Sequence, residues 1–120
     1  MPNRKTARST AKIVDNHLTY REITPLGDFY HTIDIESEEF LRWLERGETF
    51  SYNGEYTVRC EKRRNTFYWY AFQKEGKKLL KKYIGVSAAV KRQKLLEVWA
   101  AFKYGEDHPM YKIMIPHAGK

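Results

Sequence analysis

Residues 63–85 read RRNTFYWYAFQKEGKKLLKKYIG and carry the strongest strand signal in the sequence. Five of the six residues 67–72 are aromatic, and lysines dominate the positions that follow. Aromatic residues favour strands, and a glycine between two extended runs favours a tight hairpin. The segment therefore predicts two antiparallel strands joined at Glu75-Gly76, preceded by a third strand that ends before a loop at Asn65-Thr66.

The three predicted strands form an antiparallel meander. Side chains alternate along a strand, so the predicted pairing divides this meander into two faces. A two-residue loop at Glu75-Gly76 places Tyr70 opposite Lys81 and Tyr68 opposite Tyr83. One face is predicted to form the core and carries Val58, Cys60, Phe67, Trp69, Ala71, Leu80 and Ile84. The other face combines tyrosines with basic residues, namely Arg59, Arg63, Tyr68, Tyr70, Lys81 and Tyr83. A one-residue change in either loop would exchange the two faces.

Turn residues and hydrophobic spacing predict the other elements. Residues 18–35 contain two extended runs around a turn at 25–28, and Asn53-Gly54 favours a tight hairpin within 49–64. Residues 37–47 predict a short helix capped by Ser37 and ended by Gly47. A second helix is predicted from Ser87 to Gly105, with Leu95, Val98, Trp99 and Phe102 on one stripe. Residues 111–116 suggest a short edge strand.

These elements predict an α+β fold in one domain. An antiparallel three- to four-stranded sheet packs against a carboxy-terminal helix, with an additional short helix and an amino-terminal hairpin. The domain spans residues 17–120, with the meander and its helix at 49–104. Residues 1–16 lack apolar periodicity and predict a flexible basic arm.

Composition limits the compartment. The 120 residues include one cysteine, Cys60, which allows no intramolecular disulfide and fits a reducing cytoplasm. The sequence has no apolar stretch near the length of a membrane span, and its polar amino terminus differs from a secretory signal. We therefore expect a cytoplasmic protein that does not contact a membrane.

Charge is distributed unevenly along the chain, whose formal net charge is +7. Residues 17–55 carry three basic and nine acidic residues, whereas residues 56–104 carry 13 basic and three acidic residues. Residues 1–16 add four basic residues against one acidic residue. A basic segment mixed with aromatics favours a polyanionic partner over a merely solvated lysine surface.

A sheet face of tyrosine and arginine suits contact with nucleic acid. Arginine can donate two hydrogen bonds to guanine, lysine and tyrosine can contact phosphates, and a twisted antiparallel ribbon fits the major groove. An arginine-rich arm can follow the minor groove. The candidate nucleic-acid-binding residues are Arg4, Lys5, Arg8, Arg59, Lys62, Arg63, Arg64, Tyr68, Tyr70, Lys74, Lys77, Lys81, Lys82 and Tyr83.

The run YWYAFQKEGKKLLKKYIG (68–85), with FLRWLERGETFSYNG (40–54) before it and KLLEV (94–98) after it, resembles a segment near the amino end of large bacterial MalT-like LuxR-type regulators. The meander followed by a helix also resembles the three-stranded-sheet DNA-binding module of the AP2 domain and of the amino-terminal, arm-binding domain of phage and transposon integrases. The matching positions cover about half of the chain and lie at 40–44, 50–52, 59–64, 68–72 and 78–85.

The chain departs from these regulators in having no ATPase and no carboxy-terminal helix-turn-helix, and its 120 residues leave no room for an integrase catalytic domain. The resemblance implies a stand-alone binding module for duplex DNA. It would act as a transcriptional regulator or as an accessory factor of a mobile element.

The residues also bear on three other classes of function. The histidines show no metal-ligand spacing, no glycine-rich phosphate loop is present, and the carboxylates of 34–48 fit a solvated surface better than a metal site. We therefore expect a protein that is not an enzyme and needs no cofactor or metal. An RNA or single-stranded nucleic-acid binder stays open, because sheet aromatics can stack on unpaired bases. A protein-interaction module also stays open, since interfaces are rich in aromatics and arginine.

Overall fold

A computed structural model of the chain describes residues 11–115. It contains seven strands: β1 (Ala11–Val14), β2 (His17–Thr24), β3 (Gly27–Asp34), β4 (Phe50–Tyr52), β5 (Tyr56–Arg63), β6 (Thr66–Glu75) and β7 (Lys78–Val86). They form one sheet in the order β3-β2-β1-β4-β5-β6-β7, in which only β1 and β4 run parallel. The α+β class is confirmed, but the prediction of three to four strands is wrong, because the amino-terminal hairpin joins the meander through β1.

The prediction of a flexible arm through residue 16 is wrong for the part that the structure describes. β1 lies between β2 and β4, and its Ala11 and Ile13 are buried. Asp15 and Asn16 both adopt positive φ angles, of 53° and 65°, and so form the tight turn to β2. Two inward side chains give too short an alternation to indicate a strand. The candidate residues Arg4, Lys5 and Arg8 lie outside the described residues.

Both turns of the meander differ from the predicted positions by one residue. The β5–β6 turn is Arg64-Asn65, whose φ angles are 52° and 72°, and the β6–β7 turn is Gly76-Lys77. Each loop keeps two residues, so the pairing shifts by two positions and every side chain keeps its predicted face. Tyr70 therefore lies opposite Tyr83 instead of Lys81.

β7 contains a bulge at Ile84, directly before Gly85. Tyr83 pairs with Tyr70 and Gly85 with Trp69, so Ile84 has no partner of its own on β6. Gly85 has a φ of 141°, and a Cβ there would lie 2.7 Å from the Cβ of Ala89. A side chain at this position would meet both backbone strain and a steric clash.

Three helices and one 3-10 turn complete the described chain. They are α1 (Glu38–Leu44), the 3-10 turn Ser87–Ala89, α2 (Arg92–Tyr104) and α3 (Pro109–Met114). The predicted helix start at Ser87 is wrong, because Ser87–Ala89 form the 3-10 turn and α2 begins at Arg92. The Ser87 hydroxyl accepts a hydrogen bond from Trp69 Nε1 at 2.9 Å. The predicted edge strand at 111–116 is wrong over 111–115, since Tyr111 and Ile115 share one side of a helical segment and pack beside α2.

The core lies between one face of the sheet and the helices α1 and α2. Phe40 and Trp43 of α1 pack on Phe50, and the Tyr56 hydroxyl donates a hydrogen bond to the Leu95 carbonyl of α2 at 2.7 Å. Of the residues predicted to form the core face, four are buried: Val58, Trp69, Ala71 and Ile84. Cys60, Phe67 and Leu80 are partly buried. The opposite face of the meander carries no packed helix among the described residues.

Trp69→Ala should destabilise the fold severely. The ring is fully buried, and its removal leaves a cavity and an unpaired Ser87 hydroxyl, so the free energy of unfolding should fall by about 3–5 kcal/mol. Denaturant unfolding of the variant measures this change. Tyr83→Ala, on the exposed face of the adjacent strand, is the matched control and should change stability by about 1 kcal/mol or less, since it loses only the contact with Tyr70. Equal losses in the two variants would contradict the assignment of faces.

Candidate nucleic-acid interface

The exposed side of β5, β6 and β7 gathers aromatic and basic side chains in rows. Arg59, Tyr70 and Tyr83 lie opposite one another on the three strands, and Thr57, Phe72 and Lys81 form the next row. Tyr68 lies one row further, opposite Glu61. We call this surface the aromatic–basic face, and it consists of Arg59, Arg63, Tyr68, Tyr70, Phe72, Lys81 and Tyr83.

Cations lie over most rings of this face. Lys81 Nζ is 4.4 Å from the ring centroid of Tyr70 and 5.7 Å from that of Phe72. The Arg59 guanidinium lies 5.4 Å from the Phe72 centroid, and that of Arg63 lies 5.5 Å from Tyr68. Such contacts are attractive, and they hold the cations over the sheet while their charged ends stay exposed.

Tyr83 differs from the other rings. It packs against Tyr70 with the ring centroids 5.2 Å apart and the planes tilted by 53°, and its side chain is exposed. Among the described residues, no lysine or arginine lies over the Tyr83 ring. Tyr83 is therefore the ring of the aromatic–basic face that is most accessible to a partner.

Glu61 is the acidic residue among these cations. Its carboxylate accepts a hydrogen bond from Arg63 at 2.8 Å and one from Lys81 Nζ at 3.4 Å. The hydrogen bond from Arg63, with a smaller contribution from Lys81, holds the pKa of the Glu61 carboxyl below its ordinary value. The same contact raises the pKa of the Arg63 guanidinium. Glu61 therefore stays ionised at neutral pH and positions two of the cations.

The structure brings together only part of the predicted candidate set. The residues that share the aromatic–basic face are Arg59, Arg63, Tyr68, Tyr70, Lys81 and Tyr83. Lys74 follows on the same side of β6, opposite Leu79, and Lys77 and Arg64 lie in the two turns. These three basic residues extend the positive surface at the two ends of the meander.

Lys62 and Lys82 belong to the other side of their strands. Lys62 Nζ lies 5.6 Å from the ring of Phe67, a residue that packs against the core. Lys82 Nζ contacts Glu106 beyond the end of α2 at 3.4 Å. The structure therefore separates these two lysines from the other candidate residues.

The candidate set omitted Phe72 and Glu61. Alternation from Tyr70 places Phe72 on the same face, and alternation from Arg59 and Arg63 places Glu61 there as well. The strand pattern therefore places both residues on this face. They are absent from the candidate set because that set contains only tyrosines, lysines and arginines.

Elsewhere the open sheet surface carries mostly polar side chains, with Arg21 of β2 opposite Tyr30 of β3. One row crosses the whole sheet and runs Thr32, Thr19, Lys12, Ser51, Thr57, Phe72 and Lys81. The hydroxyls of Thr19 and Thr32 lie 3.1 Å apart. Among the contacts of this open surface in the described part of the chain, cations lie over aromatic rings only on β5–β7.

Two further observations concern other kinds of site. Within residues 11–115, no group of three or more His, Cys, Asp or Glu side chains is placed to hold a metal ion. No helix in this part of the chain is long and apolar enough to cross a membrane.

Comparison with known protein families, with curated proteins and with solved structures gives no match.

Arg63→Gln should raise the pKa of Glu61 toward its ordinary value, because the closest hydrogen-bond donor is removed. Lys81→Gln should raise it less, since the Lys81 contact is longer. Carbon-detected NMR titration of the glutamate carboxyls measures both changes. Arg59→Gln is the matched control on the same face and should leave the pKa of Glu61 unchanged, because Arg59 lies over Phe72. An unaltered Glu61 titration in Arg63→Gln would contradict the arrangement.

Proposed function

We propose that the chain is a non-catalytic DNA-binding protein that contacts duplex DNA through the aromatic–basic face. The observation that carries this proposal is the set of exposed cations held over aromatic rings on three adjacent strands. Guanidinium and ammonium groups in such positions can contact phosphates and guanine edges, and the tyrosine hydroxyls can contact phosphates.

The dimensions of the meander favour the major groove. Three strands separated by about 4.8 Å span about 10 Å, and the major groove of B-form DNA is about 12 Å wide. Neighbouring strands twist by about 20–25° relative to one another, so β2 and β3 turn well away from the plane of β6. The β5–β7 part can therefore approach a groove without the amino-terminal hairpin lying in the same plane.

Occupied ring faces favour duplex DNA over single-stranded nucleic acid. Proteins that bind single strands stack unpaired bases on open aromatic rings. Here the rings of Tyr68, Tyr70 and Phe72 already have a cation above them, and only Tyr83 is largely exposed. Base stacking would have to displace these cations, whereas contact with a phosphate backbone or groove edge uses them where they lie.

The positive surface continues beyond the face. Lys74 and Lys77 lie at the β6–β7 turn, and Arg64 lies at the β5–β6 turn. Cations at both ends of a sheet ribbon can follow the two phosphate strands that border a groove. A role as a transcriptional regulator or an accessory factor of a mobile element, which the resemblance to AP2-like and integrase modules implies, is part of the same proposal.

Binding to a duplex should weaken steeply with salt. Four to five phosphate contacts predict a slope of about −4 for the logarithm of the binding constant against the logarithm of salt concentration, because bound counterions are released. Fluorescence anisotropy with a labelled duplex, each of its single strands and an RNA hairpin measures the slope and the preference. Tighter binding of a single strand would favour the RNA or single-stranded alternative. A slope near zero would indicate a protein-interaction surface instead.

Lys81→Ala and Lys82→Ala form a matched pair of neighbouring lysines on opposite sides of β7. Lys81→Ala should weaken duplex binding by about 1–3 kcal/mol if Lys81 contacts a base, and in either case reduce the salt slope by about 1. Lys82→Ala should change binding by less than about 0.5 kcal/mol, because Lys82 faces the helix layer.

Glu61→Gln adds a test of opposite sign in the same assay. Removing the negative charge beside Arg63 and Lys81 should strengthen duplex binding, whereas Glu38→Gln on α1 should not. Equal effects of Lys81→Ala and Lys82→Ala, or weaker binding by Glu61→Gln, would contradict the proposed face.

A further inference from the structure

The outer side of β3 is an unpaired sheet edge. Among the strands that the structure describes, β3 is the first in the sheet order and pairs only with β2. All eight of its residues pair with β2 without a shift in register. In a regular edge strand, alternate backbone N–H and C=O groups point away from the sheet, where another strand can bind them.

The two edges of the sheet differ in their protection. β7 has the sequence KLLKKYIGV and combines three lysines with the irregularity at Ile84, and both features discourage pairing with another strand. β3 has the sequence GDFYHTID and contains no lysine, arginine or proline. The β3 edge is therefore open to a further strand, whereas the β7 edge is not.

Large apolar side chains are exposed around the β3 edge. Phe29 and Tyr30 of β3 are 48% and 68% exposed, and Ile23 and Leu26 of the same hairpin are 69% and 90% exposed. Exposed apolar side chains that cluster in one region mark interaction surfaces on soluble proteins. Asp28 and Asp34 lie on the same strand, which carries no lysine or arginine, and the guanidinium of Arg21 on β2 is paired with Asp28 at 3.5 Å.

We propose that two copies of the chain associate by antiparallel pairing of their β3 strands about a twofold axis. Such an isologous pairing keeps the same sheet face of both copies on one side, which requires an even register. Centring the axis on Tyr30 places Tyr30 opposite the partner subunit's Tyr30. It also places Phe29 opposite the partner's His31 and Asp28 opposite the partner's Thr32.

The pairings in this register are complementary. Aromatic rings oppose aromatic rings, and a carboxylate opposes a hydroxyl, which are favourable cross-strand pairs. Centring on His31 would instead set Asp28 opposite the partner's Asp34 and oppose two negative charges. Centring on Phe29 would bring the far half of β3 against the partner's turn at Pro25-Leu26. The self-complementarity of the Tyr30 register is the reason to assign the edge to a second copy and not to a different protein.

The association is testable by the oligomeric state. Sedimentation velocity between about 1 and 200 µM should show a species of twice the 14.3 kDa chain mass that forms as concentration rises. Tyr30→Lys should raise the dimer dissociation constant at least about tenfold, because it opposes two lysines at the axis. Leu79→Lys, at a similarly exposed position on β7, is the matched control and should leave the dissociation constant unchanged.

Cysteine cross-linking tests the register separately. In a Cys60→Ser background, Tyr30→Cys places two thiols directly opposite each other, within the Cα separation of about 4.4–6.8 Å that a disulfide requires. Thr32→Cys places its two thiols about 14 Å apart along the strands. Mild oxidation should give a covalent dimer with Tyr30→Cys and not with Thr32→Cys.

Three results would overturn the proposal. One is a chain that remains monomeric over the whole concentration range, and another is a dimer that Leu79→Lys weakens as much as Tyr30→Lys. The third is cross-linking of both cysteine variants or of neither. Thermal unfolding of each variant verifies that the monomer fold is retained, which the exposure of positions 30, 32 and 79 favours.

Discussion

The burial of Trp69 determines which side of the meander faces the helices. Trp69 lies between Cys60 on β5 and Gly85 on β7, is fully buried, and donates its indole N–H to Ser87. Side chains alternate along a strand, so an inward Trp69 sends Tyr68 and Tyr70 outward. Antiparallel pairing carries the same division across the neighbouring strands. β6, with five aromatic residues, thus supplies both the centre of the core and three of the four rings of the exposed face.

The sequence predicts the faces of the meander better than its pairing. Positive φ angles at Arg64-Asn65 and at Gly76 set both turns one residue away from the expected positions, but the loops keep their length and the faces are preserved. β1 was missed for a different reason. Its four residues give too short an alternation, and its parallel partner β4 lies far away in sequence, so the turn to β2 at Asp15-Asn16 was the one local signal of this strand. The last helix was missed because an apolar run of six residues fits a strand or a helix equally well.

Glu61 shows why residue type alone cannot define the candidate site. A selection for binding chemistry collects cations and aromatics, and a carboxylate in their midst lowers the net charge of the surface. The contacts show that Glu61 positions two cations. Its carboxylate holds Arg63 and Lys81, and these side chains also lie over the rings of Tyr68 and Tyr70. Holding flexible cations in place before binding reduces the conformational entropy lost on binding, at the cost of some attraction for phosphates. Glu61 thus improves the orientation of Arg63 and Lys81 and lowers the electrostatic attraction of this face for phosphates.

The charge asymmetry along the chain becomes an asymmetry across the sheet. The acidic half of the sequence forms the β3 edge, and the basic half forms the β7 edge, with five strands between them. Pairing at β3 would leave the aromatic–basic face of each copy exposed, because that face lies on β5–β7. A twofold axis at β3 would also present two such faces on one side of a continuous sheet, and a symmetric pair of binding surfaces matches two inverted half-sites in DNA. In such a dimer the β7 edges would be the remaining free edges, and their lysines discourage strand pairing. Growth of the sheet would therefore stop at two copies.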